Sequence, residues 1–439
     1  MDKPVTTRPG SCTSASAALG IAEDFEETHA RYLELQRTKK TFFQIHSQRR
    51  FHPGFHHTFD LIKDVAERTN CPVTNIISTH CDGMWRMPPE IVEQTYHSFS
   101  HGYGKVSHSG YHFLDMCYLL MRMGWGETKR PERAEVVSSF ITPNGFLTSF
   151  NDKDYKSMFG TDYNDFNHYT QTDLMRLTKD MGEIDSAIQV TFFQGKHPIA
   201  LAQINLQHNG STRRSWLKAG PDLYKGIGRV KHEFHEIKSG PLQTVVIDSR
   251  QANDKHDRSV PSTAKMGSDN HFEVHVFRNS DLLNETAPFH SYSVDDLDRR
   301  YKTDKPGLYS ENIKRGILQE AIDFVNGKRS KADLSSPLTD HDIPVHLMSA
   351  VYLSHVRRAA GGNPIVDLKI DYNADGEAQG SIHVPVEPVI AVQPQTTPGH
   401  VFRYSALFSG LLISYLNLAF TRFSTILATG EKSFNSISA

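Results

Sequence analysis

The chain has 439 residues, a formal net charge of -2 and 24 histidines. That length holds two or three domains, or one large domain with long insertions, and the balanced charge excludes nucleic acid as an electrostatic partner. Four cysteines (Cys12, Cys71, Cys81, Cys117) are scattered with no CxxC pair, so neither a disulfide scaffold nor a zinc site is expected, and a reducing, cytoplasmic setting is.

The first residues, Met1-Asp2-Lys3-Pro4, lack the charged and apolar regions of a signal peptide. Thr6 to Gly20 reads as a loop. Glu23 to Lys39 predicts a helix, because Ile21, Phe25, His29, Tyr32 and Leu33 recur at helical spacing. Thr41 to Ser47 alternates as a short strand. Gln48-Arg49-Arg50-Phe51-His52-Pro53 follows, then a helix from His56 to Thr69. Two arginines at a strand-to-helix junction can hold a substrate carboxylate or a cofactor phosphate through their planar donor forks, or pair with acids. Val73 to Ser78 is strand-like, and Asp82 to Glu90 is a turn running into a helix at Pro89. Trp85 within it can line a ligand pocket or serve as a buried indole.

The centre of the chain is Lys105 to Asp115. His108, His112 and Asp115 stand at i, i+4 and i+7, so in a helix they share a side, and Gly110 permits close approach or marks the helix entry. Three titratable groups beside an apolar helical face suit acid–base work, or else hydrogen-bonded core histidines. Asn144 to Lys179, rich in aromatics, Asp and Asn, reads as an insertion capping a site. Ile188 to Phe193 and Ala200 to Leu206 predict an antiparallel pair turning at Gly195-Lys196. Val230 to Glu236 predicts a strand with His232 and His235 on opposite faces, which disfavours a metal. Phe272 to Phe277 is a strand; Asn312 to Gly327 and Ile343 to Arg358 are helices. Asp371 to Gly399 reads as a linker. Ser405 to Thr421 is apolar but short for a span, so a membrane role is not expected.

The order of Asp-Lys-Pro, the arginine junction Arg49-Arg50-Phe51-His52-Pro53 and Gly110-Tyr111-His112-Phe113-Leu114-Asp115 resembles the glucose–fructose oxidoreductase/inositol dehydrogenase/MocA-like family, over residues 1 to about 368. The resemblance implies an α/β (α+β) chain. Residues 1–50 would be the remnant of a Rossmann-like dinucleotide-binding domain whose Gly-rich segment lies upstream of Lys3. Residues 51–368 would be a substrate domain with a mostly antiparallel open sheet and helices on one face, and 369–439 a linker and apolar tail. It implies an NAD- or NADP-dependent oxidoreductase acting on a sugar, polyol or related hydroxy compound. Lys3 matches the lysine beside the nicotinamide and the reacting oxygen, with Pro4 and Arg49 as further cofactor contacts. His112 matches the acid–base histidine, Asp115 its orienting partner, and His108 stands where many members carry Asp. Arg50, Trp85 and His108 are the substrate-contact candidates; no metal is expected. An exposed sheet face would favour a homo-oligomer. The alternatives are a non-catalytic binding or oligomerisation protein that has lost dinucleotide binding and, further off, a metal-assisted hydrolase.

Overall fold

The computed structural model describes residues 4–82, 87–126, 128–210, 231–251, 271–301, 310–374 and 376–383. Lys3, Trp85 and the apolar segment 405–421 lie outside them. Helix α1 (Ala15–Thr38) starts at Ser14, whose hydroxyl accepts from the Ala17 amide. Helix α2 (Pro53–Thr69) has proline in its first turn, the His52 ring accepting from the Gly54 amide, and Asn70 at φ 55° closing it. Then come β1 (Asn75–Cys81), α3 (Pro88–Glu93), α4 (Tyr111–Met123) and β2 (Arg133–Ile141). Four short helices follow: α5 (Pro143–Ser149), α6 (Asp152–Phe159), α7 (Asp162–Phe166) and α8 (Gln171–Leu177). The rest is β3 (Asp185–Gln194), β4 (His197–Gln207), β5 (Lys231–Ser239), β6 (Gln243–Gln251), β7 (His271–Arg278), β8 (Phe289–Tyr292), α9 (Val294–Tyr301), α10 (Ser310–Val325), α11 (Asp342–Ala359), β9 (Val366–Tyr372) and β10 (Ala378–His383).

The strands form one open ten-stranded sheet in the order β10-β9-β2-β3-β4-β1-β5-β6-β7-β8. Every pair is antiparallel except β1 with β4. This is the mixed α/β fold with a mostly antiparallel open sheet that the sequence predicts. Alternation sorts the side chains. Val136, Val190, Ile204, Ile247, Val274 and Val366 are buried on the helix-covered face, whereas Gln189, Leu201 and Gln203 are exposed on the other. Helix α11 is held to β2 by Ser138, whose hydroxyl donates to the Val351 carbonyl at 2.6 Å and whose amide meets Ser354 Oγ at 2.9 Å.

Three local expectations change. Thr6 to Gly20 is not all loop: α1 begins at Ala15, because the Ser14 hydroxyl caps it there. Thr41 to Ser47 is not a sheet strand: it makes a single bridge, Gln44 to Pro337, with Ile45 N–H on the Ser336 carbonyl and Leu338 N–H on the Phe43 carbonyl. A proline in the partner segment removes the donor needed to extend the ladder. The supposed linker from Asp371 is, as far as His383, the hairpin β9–β10, turned at Asn373 and Gly376 (φ 80°) and adding an edge strand to the sheet. The predicted β3–β4 hairpin is present, with Gly195 at φ 55° in its turn. Among the described residues no helix is long and apolar enough to cross a membrane, and all four cysteines are free.

Candidate functional site

The single parallel pair among the described strands sets the site. In-register pairing of Cys81 with Gln207 brings the carboxyl ends of β1 and β4 side by side, and carboxyl ends of parallel strands are where α/β sheets gather ligands. There Asp82 meets His208, Nδ1 to Oδ2 at 2.9 Å, and His80, Nε2 to Oδ1 at 3.6 Å. The Lys105 ammonium completes the group with a direct ion pair to Asp82 Oδ2. Lys105 and His80 are wholly buried. Burial resists ionisation of Asp82, but Lys105, His80 and His208 outweigh it and hold the carboxyl well below the ordinary range. The end of β4 is fixed by Asp185, whose Oδ1 accepts from the His208 and Asn209 amides at 2.7 and 3.0 Å.

Lys105 reaches this place through a close chain crossing. Gly182 N–H donates to the Phe99 carbonyl and Lys105 N–H to the Glu183 carbonyl. A Cβ on Gly104 would lie 2.0 Å from that Glu183 carbonyl oxygen, so only glycine fits. The chain then makes a π-turn, Val106–Gly110, before entering α4; such turns recur at functional sites. Gly110 allows close approach: a Cβ there would stand 2.4 Å from Leu206 Cδ1 and 2.8 Å from the Lys105 carbonyl oxygen.

His108 lies in the π-turn, and its ring is 4.4 Å from His97 and 5.8 Å from Tyr103. His97 holds a left-handed backbone, φ 55°, a sparsely populated conformation for a non-glycine residue. His112 follows in the first turn of α4 and is buried. Next to it, Phe113 packs on His80 at 5.0 Å and stacks on His235 at 5.3 Å. A satellite apolar cluster from α3, α5 and α8 (Ile91, Phe146, Leu147, Leu174) includes Phe99, whose ring meets those of His108 and His208. The insertion therefore abuts the site with a small core of its own.

Asp115 lies elsewhere on α4. Its carboxylate takes three contacts from Arg50, at 2.6, 3.1 and 3.1 Å, and the Ser47 hydroxyl. It makes no hydrogen bond to His112. Arg50 also reaches Asp340 at 3.1 Å, which Arg122 grips with two nitrogens. Beside them, burial and then Arg50 push His341 down to about 3, so it stands neutral between Tyr111 and Ser336. Arg49 places a bidentate fork on Glu233, 2.6 and 2.5 Å, and Glu233 continues to His235 and Ser78. Both guanidiniums are thus committed to carboxylates of the fold.

Of the cofactor contacts expected from the motifs, Lys3 is outside the described residues, Pro4 has no side-chain donor and Arg49 holds Glu233 through Nε and Nη2, with Nη1 buried. With two nitrogens on a carboxylate and little exposure, Arg49 presents no open fork to a dinucleotide phosphate. Among the described residues no group of three or more His, Cys, Asp or Glu is placed to hold a metal. Lys105 stood within the sequence motif without a role, while His80, Asp82, His97 and His208 carried no motif at all. The signal available for two of them was the alternation of Ser78, His80 and Asp82 on one face of β1.

No family model matches the chain, and no curated protein does. Solved structures do. Levoglucosan dehydrogenase in complex with NADH and L-sorbose is 13% identical, with 81% of this chain and 77% of that one covered and a TM-score of 0.44. The super-repressor mutant of Gal80p from Saccharomyces cerevisiae is 12% identical, covering 79% and 68%, with a TM-score of 0.43. An oxidoreductase from Agrobacterium radiobacter, in complex with NAD+, L-tartaric acid and magnesium, is 12% identical, covering 82% and 70%, with a TM-score of 0.40. Several of the other matched structures are likewise named as oxidoreductases, one of them an NAD-binding oxidoreductase from Klebsiella pneumoniae.

Proposed function

We propose that this chain carries the substrate side of a nicotinamide-dependent oxidoreductase that acts on a sugar, polyol or related hydroxy compound. The observation that carries the reading is the meeting of the buried Lys105–Asp82–His208 group with the turn that presents His108 and His112. Oxidising a carbinol removes a hydride from carbon and a proton from oxygen. The described residues serve the proton. His112 takes it from the substrate hydroxyl, Lys105 stabilises the negative charge that develops on that oxygen, and His108 hydrogen-bonds a neighbouring hydroxyl. The nicotinamide is implied by the motif resemblance, with NAD and NADP both open, and no described side chain is assigned to its phosphates.

The test is a fluorescence titration of the full chain with NADH and NADPH, followed by a panel of sugars and polyols scored by nicotinamide absorbance. Saturable cofactor binding and a turnover abolished in His112→Gln support the reading. A folded protein that binds neither cofactor at millimolar concentration overturns it. The second reading, a non-catalytic binding protein, is favoured by one observation: the bidentate commitment of Arg49 to Glu233. It expects sugar binding by calorimetry with no cofactor affinity.

A further inference from the structure

The helix that begins at Lys105 opens with amide groups that no earlier turn can satisfy. The fold satisfies three of them from outside the helix. Lys105 N–H donates to the Glu183 main-chain carbonyl at 3.0 Å. Val106 N–H donates to Glu183 Oε1 at 2.7 Å. Ser107 N–H donates to the Tyr352 hydroxyl at 3.2 Å. Tyr352 then donates its own proton to Glu183 Oε1 at 3.0 Å and lies 2.8 Å from Ser107 Oγ. Cys12 closes the group by donating its thiol proton to Glu183 Oε2 at 3.0 Å. Glu183 and Tyr352 are fully buried, Ser107 and Cys12 nearly so.

We infer that Glu183 and Tyr352 are positioning residues that hold the π-turn open and thereby set the facing of His108 against His112. The inference rests on the proposed acid–base role of those histidines. A π-turn carries one residue more than an α-turn. If it relaxed to α geometry, the residues before it would rotate by about 100° relative to α4. His108 lies inside the turn and His112 beyond it, so their mutual orientation depends on that extra residue. Glu183 and Tyr352 grip the turn at consecutive amides, from β3's entry and from α11 respectively. Gly110 at the other end packs against Leu206 with no room for a Cβ. The carboxyl group receives three donors and offers none, which suits its ionised form, although burial raises its pKa above the ordinary value.

The test follows the imidazole resonances of the full chain by NMR across a pH titration, in Tyr352→Phe and Glu183→Gln. Exposed His168 serves as the internal control. The expected result is movement of the His108 and His112 resonances, with titration midpoints displaced by about one unit, while His168 is unchanged. Unmoved His108 and His112 signals in either folded variant overturn the inference. If Glu183→Gln does not fold, Tyr352→Phe and the milder Ser107→Ala, each deleting one hydroxyl, still decide it. The readout needs no turnover. A wild-type chain without dehydrogenase activity therefore ends the functional reading, and the NMR result judges the positioning role separately.

Discussion

Arg50 Nη2 donates to Asp115 Oδ1 at 2.6 Å, tying the turn before α2 to the middle of α4 with both side chains almost wholly buried. Burial opposes the charge on Asp115, yet Arg50, with the Ser47 hydroxyl, outweighs it and leaves the carboxyl below its ordinary value. The pair works as an anchor. Asp115→Asn leaves a buried guanidinium with one carboxylate fewer and should cost about 3–5 kcal/mol in urea unfolding. A loss under 1 kcal/mol would mean that Asp340 alone suffices.

The same reasoning applies to Lys105 and Asp82. Lys105→Met strands a buried carboxylate and is expected to destabilise by about 3 kcal/mol or more. Lys105→Met with Asp82→Asn should cost clearly less than the two single changes added together. Additive costs in the double-mutant cycle would show that the ion pair is energetically idle.

His346 gives a pH dependence. Burial lowers its pKa, but hydrogen bonds with Asp342 and Glu26 prevail and raise it to about 9. A raised folded value means that the stabilisation is complete below the ordinary 6.5 and is lost as pH rises through about 9. Its size is about 3 kcal/mol. Melting temperature should therefore fall between neutral and strongly alkaline pH in the wild type, and much less in His346→Gln. Parallel curves for the two proteins would contradict the assignment.

Gly104→Ala tests the chain crossing. The new Cβ would meet main chain rather than a pliable side chain, so the backbones must separate, at a cost of about 3 kcal/mol. Gly145→Ala, whose Cβ meets nothing nearer than 3.6 Å, is the control and should be near neutral.

The legibility of this chain in its sequence divides along a physical line. Helices α2, α4 and α11 and the β3–β4 hairpin carry their periodicity locally, so the residues themselves announce them. The π-turn does not, because it is a single break in the helical spacing, held by Glu183 and Tyr352 from far along the chain. Ideal helical spacing groups Asp115 with His112. The structure puts it instead on the side of Tyr111, one turn earlier, facing Arg50 and the Asp340–His341 segment. Asp82 and His208 could not be joined by inspection, since only the parallel pairing of β1 with β4 makes them neighbours. The hairpin after Asp371 was hidden by a polar composition that suits an edge strand with one solvated face.

That parallel pairing also fixes an order of assembly. β1 is made early in the chain, yet the strand beside it on the site's flank is β4, which arrives only after the insertion and the β3 turn. A nascent or proteolytically trimmed chain ending before β4 would hold His80, Asp82, Lys105 and His112 and still have no site, because nothing would align the ends of the two strands. Closing so long a loop is slow, and the chemistry waits on it.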